Sequence, residues 1–133
     1  MHETFGKVIS IYAEKSLDGK TFAIRPLYHQ LITGHRVLVT EDNLTTGGSL
    51  QKVVEAVRAI GGEVVGAGAF VNRGGVTAKD IGDVPKFFAL LNLNLKSWSE
   101  EECKLTGPCS RGISINTNVG KGREFLVRKG EQR

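Results

Sequence analysis

The sequence predicts an α/β fold in which a mainly parallel sheet is flanked by helices. Residues 37–40 (Val-Leu-Val-Thr) are apolar or β-branched, as in a buried parallel strand. Residues 50–60 repeat apolar side chains at helical spacing, and residues 63–71 are again apolar. A strand, a helix and a second strand in this order are typical of a right-handed βαβ unit, whose two strands are parallel.

The length of 133 residues is enough for one hydrophobic core, so residues 1–133 are expected to form a single domain. No apolar run approaches the roughly 20 residues that span a bilayer. The N-terminus lacks the basic and then apolar regions of a signal peptide. Because two cysteines give no disulfide framework, the expected compartment is the cytoplasm.

The net charge of +4 is spread along the chain. No basic cluster is interleaved with aromatic residues, so a nucleic-acid partner is not expected. A mild positive excess also suits a site for a polyanionic small molecule.

Ahead of the βαβ unit, the sequence predicts short elements. Residues 7–13 are apolar and β-branched, which predicts a strand, and residues 21–24 predict a second extended piece. Residues 28–32 favour a short helical turn before Gly34. The strand of the unit itself is predicted at residues 36–40.

The helix after this strand is the clearest element of the sequence. Ser49 is a suitable N-cap, and Gly61-Gly62 is expected to end the helix. Its apolar face is expected to consist of Leu50, Val53, Val54, Val57 and Ile60.

Further elements are predicted in the second half of the chain. Residues 86–93 favour a strand, and residues 97–103 a short helical turn with Ser99 as its cap. Residues 123–128 favour a last strand.

The junction between the strand at 36–40 and its helix carries the most specific pattern. Glu41 and Asp42 follow where the strand is expected to end, and Thr45-Thr46-Gly47-Gly48-Ser49 precedes the helix. Glycines at a helix start leave N–H donors and the positive end of the helix dipole open to a phosphate. Two carboxylates would repel that phosphate, but they accept hydrogen bonds from a pair of sugar hydroxyls. Ribose 5-phosphate carries both groups.

The junction does not match the common nucleotide-binding loops. No Gly-Lys-Ser/Thr ends the loop, so it is not a Walker A loop, and no G-x-G-x-x-G follows a strand. An ordinary polar turn remains the alternative, although it needs neither the acidic pair nor both threonines.

This run resembles the phosphoribosyl pyrophosphate signature of the type I phosphoribosyltransferases. Four other stretches also resemble segments of that family, and they follow one another in the order seen in orotate phosphoribosyltransferases and their close relatives. They are Tyr12-Ala13-Glu14-Lys15, the strand at 64–71 with Asn72-Arg73-Gly74-Gly75, the apolar strand at 87–93, and the run at 109–122. The resemblance covers most of the chain, and it implies a type I phosphoribosyltransferase-like core.

The resemblance implies transfer of phosphoribosyl from phosphoribosyl pyrophosphate to orotate, which forms orotidine 5′-phosphate and pyrophosphate in pyrimidine biosynthesis. Thr45 and Arg73 match positions that contact orotate, and the guanidinium fork of Arg73 suits its carboxylate. The positions that match phosphoribosyl pyrophosphate contacts are Lys15, Glu41, Asp42, Asn43, Leu44, Thr45, Thr46, Gly47, Gly48 and Ser49.

Two of these positions match catalytic roles. Lys15 would stabilise charge on the departing pyrophosphate, and Asp42 would stabilise carbocation character at C1 of the ribose. The resemblance also implies Mg²⁺ bound with the pyrophosphate, with no direct protein ligand, and a homodimer in which Lys15 or Lys20 acts in the partner's site. The plainer alternatives are a solvated loop lysine at Lys15 and a surface arginine at Arg73.

The chain also departs from the family pattern. Glu14 stands where the family usually has an arginine, and in the short loop that follows only Lys20 is a candidate for a further cation. The chain begins at what would be the second strand of the family's core. We therefore expect a fragment or a misplaced start codon, with a strand, a glycine-containing loop and a helix encoded in frame upstream of Met1.

The remaining polar residues point to no second site. Cys103 and Cys109 have five residues between them, unlike zinc-binding pairs, so free or buried thiols are expected rather than a metal shared across a dimer. Three functions stay open: an orotate phosphoribosyltransferase, a transferase acting on another base, and a non-catalytic module that senses phosphoribosyl pyrophosphate or a nucleotide. The shortened loop favours the third, and Arg73 favours the first.

Overall fold

The computed structural model describes residues 8–16, 21–114, 116–119, 122–128 and 130. The helices and strands in chain order are β1 (Glu14–Lys15), β2 (Phe22–Ala23), α1 (His29–Ile32), β3 (Arg36–Leu44), α2 (Gly48–Ala59), β4 (Glu63–Asn72), β5 (Phe87–Asn92), α3 (Glu100–Leu105) and α4 (Gly122–Arg128). Short 3₁₀ helices occupy Pro26–Tyr28, Lys79–Ile81 and Pro108–Arg111. None of the helices in these residues is long and apolar enough to cross a membrane.

The chain forms two compact units, one ending at Leu95 and one beginning at Lys96. The first unit holds the sheet, and the second holds α3 and α4. That residues 1–133 fold as a single domain stays a prediction.

The predicted βαβ unit is confirmed as β3, α2 and β4. Strands β3, β4 and β5 form a parallel sheet in that spatial order. The α/β fold with a parallel sheet flanked by helices is therefore as the sequence predicts. The core of this unit is formed mainly by aliphatic side chains of α2 and of the strands, including Val39, Leu50, Val54 and Ala67.

Helix α2 begins two residues earlier than predicted, and its cap is different. The N-cap is Gly47 in the left-handed conformation (φ +79°), and the prediction of Ser49 as cap is wrong. A Cβ on Gly47 would lie 2.8 Å from Ile81 Cγ2 and 2.9 Å from Val76 Cγ1. Tertiary packing and the positive φ together require glycine here. The predicted helix end is confirmed, because Gly61 has φ +79°.

The segment before β3 forms a small hairpin. Strands β1 and β2 pair antiparallel, with Glu14 opposite Ala23. The predicted strand at 7–13 is wrong over residues 8–13, which have no strand, and Lys7 lies outside the described residues. The predicted extended piece at 21–24 and the helical turn at 28–32 are confirmed as β2 and α1.

Apolar side chains are also exposed along the three parallel strands. Leu38, Phe70, Phe88 and Leu90 are each 63–66% exposed, and they alternate with buried neighbours such as Val39 and Ala89. Because successive strand residues point to opposite faces, one face of the sheet carries the core and the other carries these side chains.

The second unit is built from short helices. Ser99 caps α3 in a capping box, in which its Oγ accepts from the Glu102 N–H and its own N–H donates to the Glu102 carboxylate. The predicted helical turn and its cap are thus confirmed. The predicted strand at 123–128 is wrong, because these residues belong to α4.

Candidate functional site

The candidate site lies where the three parallel strands end. Leu44 of β3 is in register with Asn72 of β4, and Asn72 is in register with Asn92 of β5. The loops after these strands therefore start from one edge of the sheet, where α/β proteins hold ligands.

The loop at 45–49 opens directly into α2. Intrahelical bonding begins with the N–H of Gln51, which donates to the Gly47 carbonyl oxygen at 2.9 Å. The N–H groups ahead of it have no partner inside the helix. No side chain caps the helix, and its first turn carries no acidic residue. The start of α2 thus has the donors and the dipole that suit an anion.

Glu41 and Asp42 lie within β3, not after it. The strand continues to Leu44 because Glu41, Asn43 and Leu44 pair with β4. Glu41 is half-buried and Asp42 is exposed. Burial raises the pKa of Glu41 above its ordinary value, and the neighbouring Asp42 carboxyl raises it further. The two carboxyl groups therefore interact with each other at the edge of the site.

The raised pKa of Glu41 gives a prediction about stability. The folded chain holds a proton that the unfolded chain has released, so stability falls as the pH rises from the ordinary pKa through the raised one. We expect Glu41→Gln to raise the Tm slightly at neutral pH, and the difference from the wild type to vanish on acidification. Thermal unfolding at a series of pH values measures this. Glu63→Gln, at an exposed glutamate, is the matched control. An equal rise in Tm for Glu63→Gln would contradict a stability effect specific to the raised pKa of Glu41.

Arg73 and Thr45 are in direct contact. Arg73 Nε donates to Thr45 Oγ1 at 2.9 Å, and the Arg73 N–H donates to the Leu44 carbonyl oxygen at 3.0 Å. A Cβ on Gly74 would lie 1.6 Å from the Thr45 carbonyl oxygen, so the two loops touch through their backbones. The structure brings together the two residues that are predicted to share a ligand.

Asn72 is a positioning residue that the sequence did not reveal. Its side chain is 4% exposed, accepts from the Val76 N–H at 2.9 Å and donates to the Val76 carbonyl oxygen at 2.8 Å. It also donates to Asn92 Oδ1 at 3.2 Å. These bonds close the Arg73–Val76 turn. An asparagine at the end of an apolar strand is the only signal in the sequence, and turns commonly have one.

The Asn72 contacts predict a loss of stability on truncation. Asn72→Ala leaves the buried Val76 N–H without its acceptor, which costs about 1–3 kcal/mol. Asn92→Ala removes only a 3.2 Å bond at an exposed residue and should cost about 1 kcal/mol or less. Urea unfolding of both variants measures the difference, and equal losses would contradict the role given to Asn72.

One family model matches the part of the chain that holds the candidate site. The family model described as the phosphoribosyl transferase domain matches residues 7–101, which include both loops. The chain belongs to this family.

Several proteins named orotate phosphoribosyltransferase are similar to this member of the family. The protein from Caldanaerobacter subterraneus subsp. tengcongensis is 44% identical over 65% of this chain and 42% of its own length. The protein from Sulfurimonas denitrificans is 37% identical over 80% of this chain and 56% of its own length. The chain thus spans about half the length of the curated relatives it matches.

One solved structure is also similar. It is a crystal structure of the Mycobacterium tuberculosis orotate phosphoribosyltransferase in complex with inorganic phosphate. It is 42% identical, with a TM-score of 0.43, over 47% of this chain and 38% of that one.

Lys15 belongs to the two-stranded sheet of β1 and β2, not to the parallel sheet that leads into the loop at 45–49. It is exposed on the β1–β2 hairpin, and in the described part of the chain no hydrogen bond or ion pair joins it to residues 41–49. Its convergence with the loop stays a prediction, and Lys20 lies outside the described residues. Glu14, at the family's usual arginine position, forms an ion pair with Arg25, whose Nε donates to Glu14 at 2.8 Å. That contact lowers the pKa of Glu14.

Proposed function

We propose that the chain binds phosphoribosyl pyrophosphate and transfers its phosphoribosyl group to a pyrimidine base, orotate, in pyrimidine biosynthesis. One observation carries the proposal: the hydrogen bond between Arg73 and Thr45 at the start of the loop that leads into α2. It joins a group suited to a carboxylate-bearing base to a loop suited to a sugar phosphate.

The 5-phosphate would bind at the loop of residues 45–49. The N–H groups of the first turn of α2 point out of the helix N-terminus towards this loop. The hydroxyls of Thr45, Thr46 and Ser49 add further donors. The first turn carries no acidic residue that would repel a phosphate. Asn43 and Leu44 bring the chain from the sheet into this loop, so their part is to hold its backbone in place.

The ribose hydroxyls would bind to Glu41 and Asp42. Each ionised carboxylate accepts hydrogen bonds, and bonds to charged groups are the stronger kind. The neighbouring Asp42 carboxyl contributes to the raised pKa of Glu41, because two adjacent negative charges repel each other. Hydrogen bonds donated by the ribose hydroxyls would offset this repulsion. Asp42 is exposed and can face the anomeric carbon, where it would stabilise positive charge as the bond to pyrophosphate breaks.

The base would bind beside Arg73. Its Nε is used by Thr45, which leaves the two terminal nitrogens for a planar carboxylate. Among the described residues, no carboxylate forms an ion pair with Arg73. The charge that this guanidinium carries is thus available to an anionic base such as orotate.

Lys15 and Mg²⁺ would act on the leaving group. No three His, Cys, Asp or Glu side chains in the described residues lie close enough to hold a metal ion. The proposed Mg²⁺ would take its oxygen ligands from the pyrophosphate and water, and it would neutralise pyrophosphate charge. A homodimer in the cytoplasm, with Lys15 reaching the partner's site, is part of the same proposal.

Release of pyrophosphate tests the function. The chain is incubated with phosphoribosyl pyrophosphate, Mg²⁺ and a panel of bases, and pyrophosphate is assayed. Release of pyrophosphate with orotate and with no other base of the panel supports the proposal. Release only with another base would reassign the substrate. Binding of phosphoribosyl pyrophosphate without release for any base would instead identify a sensing module.

A further inference from the structure

The second unit brings two thiols together. Cys103 lies in α3, and Cys109 lies in the 3₁₀ helix that follows it. The Cys109 N–H donates to Cys103 Sγ at 3.3 Å, and both cysteines are free and partly buried. The Cys103 sulfur is thus within hydrogen-bonding distance of the backbone that carries the other thiol.

A tight turn at Gly107 holds this arrangement. Its N–H donates to the carbonyl oxygens of Glu102 and Cys103, both at 3.1 Å. A Cβ on Gly107 would lie only 2.7 Å from the Cys103 Cα, so the chain returns directly against the end of α3. The return brings Cys109 back to Cys103 across five intervening residues.

We propose that Cys103 and Cys109 form an oxidisable dithiol, which a low-molecular-weight disulfide such as oxidised glutathione converts into an intramolecular disulfide. A disulfide needs closely spaced Cα atoms and Cβ vectors that face each other. The turn supplies the close approach of the two residues. The site lies outside the phosphoribosyl transferase loops, so it is independent of the proposed function.

The exchange proceeds in two steps. A hydrogen bond with Cys103 raises the pKa of the Cys109 thiol, which makes Cys103 the first nucleophile. Its thiolate attacks one sulfur of the small disulfide, whose S–S bond breaks and releases one thiol. Cys109, deprotonated, then attacks the Cys103 sulfur of the mixed disulfide and releases the second thiol. The chain loses two electrons and two protons, and the small disulfide is reduced to two thiols.

Trp98 provides an internal reporter of this change. It is the only tryptophan of the chain. A Cβ on Gly107 would lie 3.0 Å from Trp98 Cδ1, so the indole packs on the turn between the two cysteines. Closing the disulfide should therefore change the tryptophan fluorescence, and reduction should restore it.

The test uses the full chain incubated with oxidised glutathione, followed by intact mass measurement and alkylation. We expect the mass to fall by two hydrogen atoms and the number of alkylated thiols to fall from two to none, with a parallel change in fluorescence. The matched control combines Cys109→Ser with Ser110→Cys, which keeps two thiols but moves one by a single residue. At the same ratio of oxidised to reduced glutathione, a smaller fraction of this variant should carry the disulfide. We expect its equilibrium constant for disulfide formation to be lower than that of the wild type by about tenfold.

Two results would overturn the proposal. The first is a wild-type chain that carries glutathione on Cys103 or Cys109 without losing two hydrogens. The second is a control that closes its disulfide as readily as the wild type. Cys109→Ser alone should retain one glutathione on Cys103, which identifies the first nucleophile; no adduct there would contradict the order of attack.

Discussion

Gly74→Ala is expected to destabilise the chain by about 3 kcal/mol or more and to abolish ribose phosphate binding. The new Cβ would lie 1.6 Å from the Thr45 carbonyl oxygen and 2.6 Å from its carbon. Both are backbone atoms, so no rotation of a side chain relieves the clash. The start of the loop at 45–49 must move, which displaces the N–H groups and hydroxyls that are proposed to hold the phosphate. Urea unfolding and a binding titration measure the two effects.

Two other glycines serve as controls for this substitution. A Cβ on Gly68 of β4 meets its nearest atoms at 3.9 Å, so Gly68→Ala should change stability by less than about 1 kcal/mol. A Cβ on Gly75 meets nothing within 4 Å, but its φ of +68° costs alanine about 1–2 kcal/mol. The expected order of destabilisation is Gly74, then Gly75, then Gly68, and a Gly74 variant as stable as Gly68→Ala would contradict the close loop contact.

Arg73→Ala is expected to weaken binding of orotate roughly a hundredfold, because hydrogen bonds to a charged group contribute up to about 3 kcal/mol. Binding of ribose 5-phosphate alone should change little, because the proposed phosphate and diol contacts do not use Arg73. Arg73→Lys keeps the charge but loses the fork, so its affinity for orotate should be intermediate. Calorimetric titration of orotate in the presence of ribose 5-phosphate separates the three proteins.

Arg36→Ala is the matched control for Arg73. Arg36 is also an arginine at a strand terminus, but it begins β3. It therefore lies at the amino-terminal ends of the parallel strands, whereas the site lies at their carboxyl ends. Its removal lowers the net charge equally and should leave orotate affinity unchanged. Equal losses for both variants would mean that overall charge, and not the Arg73 fork, attracts the base.

The sequence was sufficient for the parts of the fold that depend on apolar periodicity. The apolar residues of α2 recur at helical spacing, and those of β3 and β4 form short apolar stretches typical of buried strands, so each pattern fits one type of element. Residues 8–13 are equally β-branched, yet they form no strand, because a strand also needs a partner. Residues 123–128 contain only three consecutive apolar residues, 125–127, which are too few for periodicity to distinguish a helix from a strand.

The candidate site was predicted from its residue types, and the sequence contained less information about its geometry. Glu41 and Asp42 were expected after the strand, but pairing of β3 with β4 as far as Leu44 keeps them inside it. The cap of α2 is Gly47 because side chains distant in sequence, those of Val76 and Ile81, occupy the space that a Cβ would need. Neither fact is visible locally, since both depend on which elements pack together.

The most direct measurement of the central claim is an NMR titration of the isotope-labelled chain with ribose 5-phosphate. The predicted result is a shift of the amide signals of Gly48 and Ser49 together with those of Glu41 and Asp42, with an affinity at least about tenfold weaker in Asp42→Ala. Shifts confined to other parts of the chain, or undiminished binding by Asp42→Ala, would contradict a ribose phosphate held between the strand carboxylates and the start of α2.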